Sequence, residues 1–200
     1  MNKVVLATRN AGKIVELRRI LAEAAVPVEI VGLDGFPEIG EVAETGRTFA
    51  ENALLKAHAV AAGSGLPAIA DDSGLCVDAL NGMPGIFSAR WSGSHGDDKA
   101  NLDLLLAQVS DVPDGRRQAH FACSAALALP TGEEHVVDGA VYGTLIREPR
   151  GTGGFGYDPI FVPDGESRTT AEMSAEEKDA ISHRGRAFRA LVPIITQAVG

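Results

Sequence analysis

The chain has 200 residues, 45% hydrophobic and 22% charged, and a net charge of -9. That balance suits a globular domain able to bury a sizeable core. The acidity, with aromatics at only 5%, argues against a nucleic-acid binder, which needs a basic face. Cys76 and Cys123 are far apart with no partner motif, and no apolar run approaches ~18 residues, so a soluble cytoplasmic protein without disulfides or a membrane span is expected.

In chain order, residues 3–7 read as a strand, followed by Thr8-Arg9-Asn10-Ala11-Gly12-Lys13. Ile14, Leu17, Ile20, Leu21 and Ala24 then recur at helical spacing until Pro27. Val28–Leu33 reads as a second strand, and this β-loop-α-β opening implies a partly parallel sheet. After a Gly-, Pro- and acid-rich loop, Thr48-Phe49-Ala50-Glu51 has capping-box spacing. The helix it opens runs to about Ala62, with Gly63, Gly65 and Pro67 as stops. Asn52 and Lys56 share one face of it.

Ala68-Ile69-Ala70 reads as a short buried strand ending in Asp71-Asp72-Ser73-Gly74 at the rim of a sheet. A helix over about Asp97–Val109 has Leu102, Leu105, Leu106 and Val109 as its stripe. Gln118–Leu129 and Glu134–Ile146 form the arms of a long hairpin, a second lobe or an extension of the sheet. A glycine-rich bend at 151–158 precedes a short strand at Pro159–Pro163. A helix capped by Ser174-Ala175-Glu176-Glu177 and a last helical stretch near Arg184–Val199, kinked or split at Pro193, complete the chain. One α/β or α+β domain over residues 1–200 is expected.

Four stretches carry chemistry. Adjacent carboxylates at Asp71-Asp72 suit a hard divalent cation, or form a capped turn. Thr8–Lys13 lacks the glycine and hydroxyl that a Walker A loop requires. A helix N-terminus beside a lysine still attracts anions, although Asn10 also suits a plain helix cap. Gly151-x-Gly153-x-x-Gly156 matches a dinucleotide fingerprint in letters only, because Pro159 denies it the helix that must follow. A bend displaying Phe155 and Tyr157 to a planar base, or a turn with two core aromatics, reads better. Lys178, His183 and Arg184 lie close together in sequence and either contact a ligand or decorate an exposed helix. The histidines stand singly, so no zinc site is expected.

Seven motifs in order join these stretches: Thr-x-Asn-x-x-Lys at 8–13, Glu-Thr-Gly at 44–46, Phe-x-Glu-Asn-Ala-x-x-Lys-Ala at 49–57, Ala-Asp-Asp-Ser-Gly-Leu at 70–75, Pro-Gly-Ile-x-Ser-Ala-Arg at 84–90, Gly-Gly-Phe-Gly-Tyr-Asp-Pro-Ile-Phe at 153–161 and Ile-Ser-His-Arg at 181–184. Together they resemble the inosine/xanthosine triphosphate pyrophosphatases over nearly the whole chain. Arg9 stands where that family usually has Gly, Ala43 where another acid is common, and Trp91 where Tyr is frequent.

The resemblance implies an elongated mixed β-sheet flanked by helices, in two lobes with an active-site cleft between them. It implies Mg²⁺-dependent hydrolysis of dITP, ITP or XTP to the monophosphate and pyrophosphate by a homodimer. Asp72 would be proton acceptor and metal ligand and Glu44 a second metal ligand, with Asp71 left open as a ligand because adjacent strand residues point to opposite faces. Thr8, Arg9, Asn10, Ala11, Gly12 and Lys13 would bind phosphates, with Ser73 alongside and Asn52 and Lys56 in support. Phe155, Gly156, Tyr157, Asp158, Lys178, His183 and Arg184 would surround the purine. A pyrophosphatase for another modified nucleotide, or a nucleotide sensor without catalysis, are the alternatives.

Overall fold

The computed structural model describes residues 2–199. Its strands follow the order β2-β1-β3-β5-β6-β7, with β4 beside β3. Their ranges are β1 Asn2–Leu6, β2 Val28–Gly32, β3 Ala68–Val77, β4 Met83–Pro84, β5 Gln118–Ala128, β6 Glu134–Leu145 and β7 Phe161–Pro163. The helices are α1 Ala11–Glu23, α2 Phe49–Ser64, α3 Asp98–Gln108, α4 Ala175–Ile181 and α5 His183–Val199. β1 pairs in parallel with β2 and β3, whereas β3–β4 and β6–β7 are antiparallel. The fold is therefore the expected mixed α/β sheet flanked by helices. The chain divides into two compact units, one of Met1–Asp72, Cys123–Gly139 and Arg184–Gly200, the other of Ser73–Ala122 and Ala140–His183.

In the first unit the pleat sorts side chains to two faces. Val4, Leu6 and Ile69 join Leu17, Ile20 and Leu21 of α1 and Phe188, Leu191 and Ile195 of α5. Val5, Ala68 and Ala70 join Ala53, Ala57, Val60 and Ala61 of α2. Small residues line that second face, so α2 approaches the sheet closely. Each fully buried Leu, Ile or Phe contributes about 1.5–3 kcal/mol, which makes these two layers the rigid seat of everything mounted on β3.

The second unit has its own core of Leu75, Val77, Leu102, Leu105, Val141, Leu145, Tyr157, Ile160 and Phe161. Arg117 is 2% exposed there. Its guanidinium donates to the carbonyls of Leu145, Val109 and Ile146 at 2.9, 2.6 and 3.2 Å, tying loop ends together.

Several boundaries differ from expectation for physical reasons. α1 stops at Glu23, before Pro27 is reached. Ala25 takes a left-handed φ of 53°, and its N–H and that of Val26 return to the carbonyls of Ala22 and Leu21. This is a Schellman closure with alanine where glycine is usual. α2 runs through Gly63 to Ser64 and ends on Gly65 at φ 69°. Its capping box is one-sided: Thr48 Oγ1 accepts from Glu51 N–H, but the Glu51 carboxylate takes the N–H of Arg47. The Ser174/Glu177 box closes both ways.

α5 continues unbroken through Pro193, correcting the expected split. Phe188 and Leu191 before the proline, and Ile195 and Val199 after it, all bury into one cluster, which outweighs a proline penalty of ~3 kcal/mol. The largest correction is β3. It does not end at Ala70 but carries both acids within a ten-residue strand. Its far end pairs with β4, Cys76 opposite Pro84 and Val77 opposite Met83. Gly74 lets it pass close to Ser88, whose hydroxyl accepts from Leu75 N–H at 2.9 Å and donates to Gly85 O at 2.6 Å.

Candidate active site

Strand alternation carries straight through the acids. Ala68, Ala70 and then Asp72 face α2, whereas Ile69 and Asp71 face α1 and α5. Two adjacent carboxylates thus acquire separate partners. Mid-strand burial of both is tolerable only because each is matched by nearby cations.

Asp71, 5% exposed, receives Lys13 Nζ at 2.9 Å on both oxygens and Arg184 Nε at 3.1 Å. Burial is the strongest single influence on its carboxyl and opposes ionisation. Lys13 and Arg184 together outweigh it and hold the group well below the usual carboxylate range. Lys13 therefore does not simply extend into water, and Arg184, expected beside the purine, ion-pairs here.

Asp72, 9% exposed, accepts from Asn52 Nδ2 at 3.0 Å and lies 3.6 Å from Lys56 Nζ. Burial pushes its carboxyl up, and Lys56 and Asn52 only partly offset that. Lys56 in turn bonds Glu44 at 2.6 Å. Burial works against its charge, but the surrounding acids, Asp72 foremost, raise it above the ordinary lysine value. Asn52, fully buried, also accepts from Gly46 N–H at 2.8 Å. A Cβ on Gly46 would come within 2.7 Å of both Asn52 Oδ1 and Glu51 Cβ, so only glycine lets the Glu44-Thr45-Gly46 loop lie on α2.

Glu44 and Asp72 thus both lie within 4 Å of one ammonium group, at 2.6 and 3.6 Å. Among the described residues no group of three or more His, Cys, Asp and Glu is gathered for a metal. Two carboxylates nevertheless suit Mg²⁺, which commonly takes one or two from the protein and fills its shell with water and phosphate oxygens.

At the start of α1, Asn10 caps the helix, its Oδ1 accepting from Gly12 and Lys13 N–H at 2.9 and 3.4 Å. Thr8 Oγ1 accepts from Asn10 N–H at 3.0 Å. Arg9 reaches away to the Ile39 carbonyl at 3.1 Å and pins the loop from outside. Thr8–Lys13 is half-buried to exposed throughout.

The second unit assembles another cluster. Phe155 is 63% exposed, with Lys178 Nζ 4.8 Å from its ring centroid. Asp158, 3% exposed, accepts from Lys178 Nζ at 2.5 Å, Phe155 N–H at 2.8 Å and Thr170 Oγ1 at 2.8 Å. Asp98 takes the N–H of Gly156 at 2.8 Å. The bend displays Phe155 but not Tyr157, which lies in the core at 4% exposure with its hydroxyl donating to Ser88 O. His183 stacks on Phe121 at 5.1 Å and 14°. Ser73 is half-buried on β3.

Gly154, at φ 70°, has no room for a Cβ, which would meet the Asp158 carboxylate. Gly154→Ala is expected to destabilise the protein by about 1–3 kcal/mol, read as a fall in the urea midpoint. An unchanged midpoint would mean that the carboxylate is free to move.

Asp98, Thr170 and Phe121 escaped sequence reasoning. Each is a common residue type outside any motif and acquires a partner only through long-range packing. Gly46 was visible as part of Glu-Thr-Gly, but its bond to Asn52 was not.

The family model described as Ham1 family matches residues 4–194. The dITP/XTP pyrophosphatase of Streptomyces coelicolor is 68% identical over 200 residues, covering 100% of both chains. A crystal structure of a nucleoside-triphosphatase / dITP/XTP pyrophosphatase from Mycobacterium abscessus is 57% identical, with a TM-score of 0.82, over 96% of this chain and 99% of that one. The structure of a HAM1 protein from Coxiella burnetii superposes with a TM-score of 0.91 at 40% identity, covering 99% and 100%. With sequence and fold matching from end to end, this chain belongs to the Ham1 family.

Proposed function

We propose that this protein hydrolyses the non-standard purine nucleotides dITP, ITP and XTP to the monophosphate and pyrophosphate. The observation that carries the reading is the Asp72 carboxylate, buried, fixed by Asn52 at 3.0 Å and flanked by Lys56 and Glu44. The names of the Streptomyces and Mycobacterium relatives point to the same chemistry.

In this reading Asp72 orients a water towards the α-phosphorus and accepts its proton. Burial favours that role by raising its basicity, and Asn52 prevents it from rotating away. Lys56 and Lys13 balance charge on the departing pyrophosphate, because positioning and electrostatics dominate phosphoryl-group chemistry. The loop at Thr8–Lys13 receives the phosphates, with Ser73 alongside. Glu44 and Asp72 would hold Mg²⁺, which when bound supplies Lewis-acid polarisation of the phosphate oxygens.

At the base end, the exposed ring of Phe155 is a stacking surface, stiffened by the cation of Lys178. By the family resemblance, Lys178, His183 and Arg184 would supply donors to a 6-oxo group. A 6-amino group would oppose donor to donor and leave buried groups unpaired, the kind of mismatch that gives strong rejection. We further propose a homodimer, which light scattering would test, acting in the cytoplasm. No described helix is long and apolar enough to cross a membrane.

A panel of dITP, ITP, XTP, GTP, ATP and dUTP, scored for pyrophosphate release with Mg²⁺ and with EDTA, tests the reading. Fastest turnover of the three 6-oxo non-standard purines, lost in EDTA, is expected. Preferential release from dUTP would move the assignment to a pyrimidine nucleotide, and no release from any would leave a binding protein.

A further inference from the structure

Asp71 holds two cations on a single carboxylate. Lys13 comes from the first turn of α1 and Arg184 from the first turn of α5, and both reach the face of β3 turned away from Asp72. The side chain of Asp71 is 3% exposed, that of Lys13 24% and that of Arg184 13%. A shared carboxylate this deeply buried has little freedom, so it sets where both cations stand. A buried acid with two cations on its oxygens is also poorly disposed to act as a base or to lend those oxygens to a metal.

We propose that Asp71 is a positioning residue that anchors the phosphate-facing Lys13 and the base-reading Arg184 to one point, so that substrate discrimination depends on it although it takes no part in the chemistry. The inference rests on the pyrophosphatase reading above. It assigns adjacent acids different work: Asp72, bonded to Asn52 and Lys56, serves the reaction, and Asp71 serves recognition. The long flexible stem of a lysine and the fork of an arginine gain most from such an anchor, because donors fixed in advance lose less freedom on binding.

The test uses the full-length protein with Asp71→Asn, which keeps the shape and removes the charge, and Asp71→Glu, which keeps the charge and moves the carboxylate by one methylene. Both are assayed for kcat and KM with ITP and ATP and for half-saturation by Mg²⁺, with the unfolding midpoint measured in parallel. The proposal expects the ITP:ATP ratio of kcat/KM to fall at least about tenfold in both variants, chiefly through a higher KM for ITP, at unchanged Mg²⁺ half-saturation. Should Asp71→Asn fail to fold, Asp71→Glu alone decides.

A ratio unchanged in both variants, with activity falling only as folded protein is lost, would reduce Asp71 to a structural ion pair and overturn the proposal. A rise in the Mg²⁺ requirement would overturn it in favour of a metal ligand. A wild-type protein that leaves ITP intact would instead remove the pyrophosphatase reading, and this inference with it.

Discussion

Asp72→Asn is expected to lower turnover of ITP by about 10²–10⁴-fold, the range that general-base catalysis contributes, while the protein keeps its fold. The residue is 9% exposed, and its carboxylate accepts a hydrogen bond from Asn52 Nδ2. An asparagine carbonyl oxygen can accept that bond in the same place. What disappears is the proposed proton acceptor and a negative charge beside Lys56. Because that charge is the foremost influence raising the Lys56 ammonium, Glu44 must hold Lys56 alone at 2.6 Å in the variant. Steady-state kinetics with ITP, together with circular dichroism and a urea midpoint, separate lost chemistry from lost structure. Turnover within about threefold of wild type would remove Asp72 from the reaction.

The second large effect is on stability. Replacing Lys13 and Arg184 together by methionine should destabilise the protein by about 3–5 kcal/mol at pH 7, the usual result of stranding a buried charge. Asp71 is then a carboxylate at 5% exposure without the two cations that hold it. In the wild type those cations keep its carboxyl below the usual range despite burial. Its contribution to stability is therefore fully present above the unfolded-state value, about 3.9, and is lost as pH falls through the depressed folded value. In the double variant burial acts unopposed and favours the protonated form, so acidification relieves the penalty. The gap between the two proteins should shrink from pH 7 towards pH 4, measured by urea unfolding at each pH. A gap that stays constant with pH would mean that Asp71 is not its source.

The sequence by itself determined the element types and the motif chain. The helical stripe of Ile14, Leu17, Ile20 and Leu21, the Thr48 and Ser174 caps and the parallel β1–β2 opening are local signals, set by periodicity and hydrogen bonding within a few residues. The glycine-rich bend could likewise be denied a nucleotide-binding helix from Pro159 alone. Family membership was legible too, since seven motifs in order are a linear property.

Only the tertiary structure decided where charge and exposure fall. Ala68-Ile69-Ala70-Asp71-Asp72 reads as a strand stopped by acids because isolated carboxylates do not enter a sheet. With Lys13 and Arg184 on one face and Asn52 and Lys56 on the other, they do, and β3 runs on to Val77. Phe155 and Tyr157, two residues apart, have opposite fates. One is held open over Lys178, and the other is drawn into the core where Ser88 accepts its hydroxyl. The partners that decide these outcomes lie 16 to 113 residues away in the chain for the two acids and 69 for Tyr157. Composition and spacing record which groups are available; desolvation and long-range pairing select which of them meet.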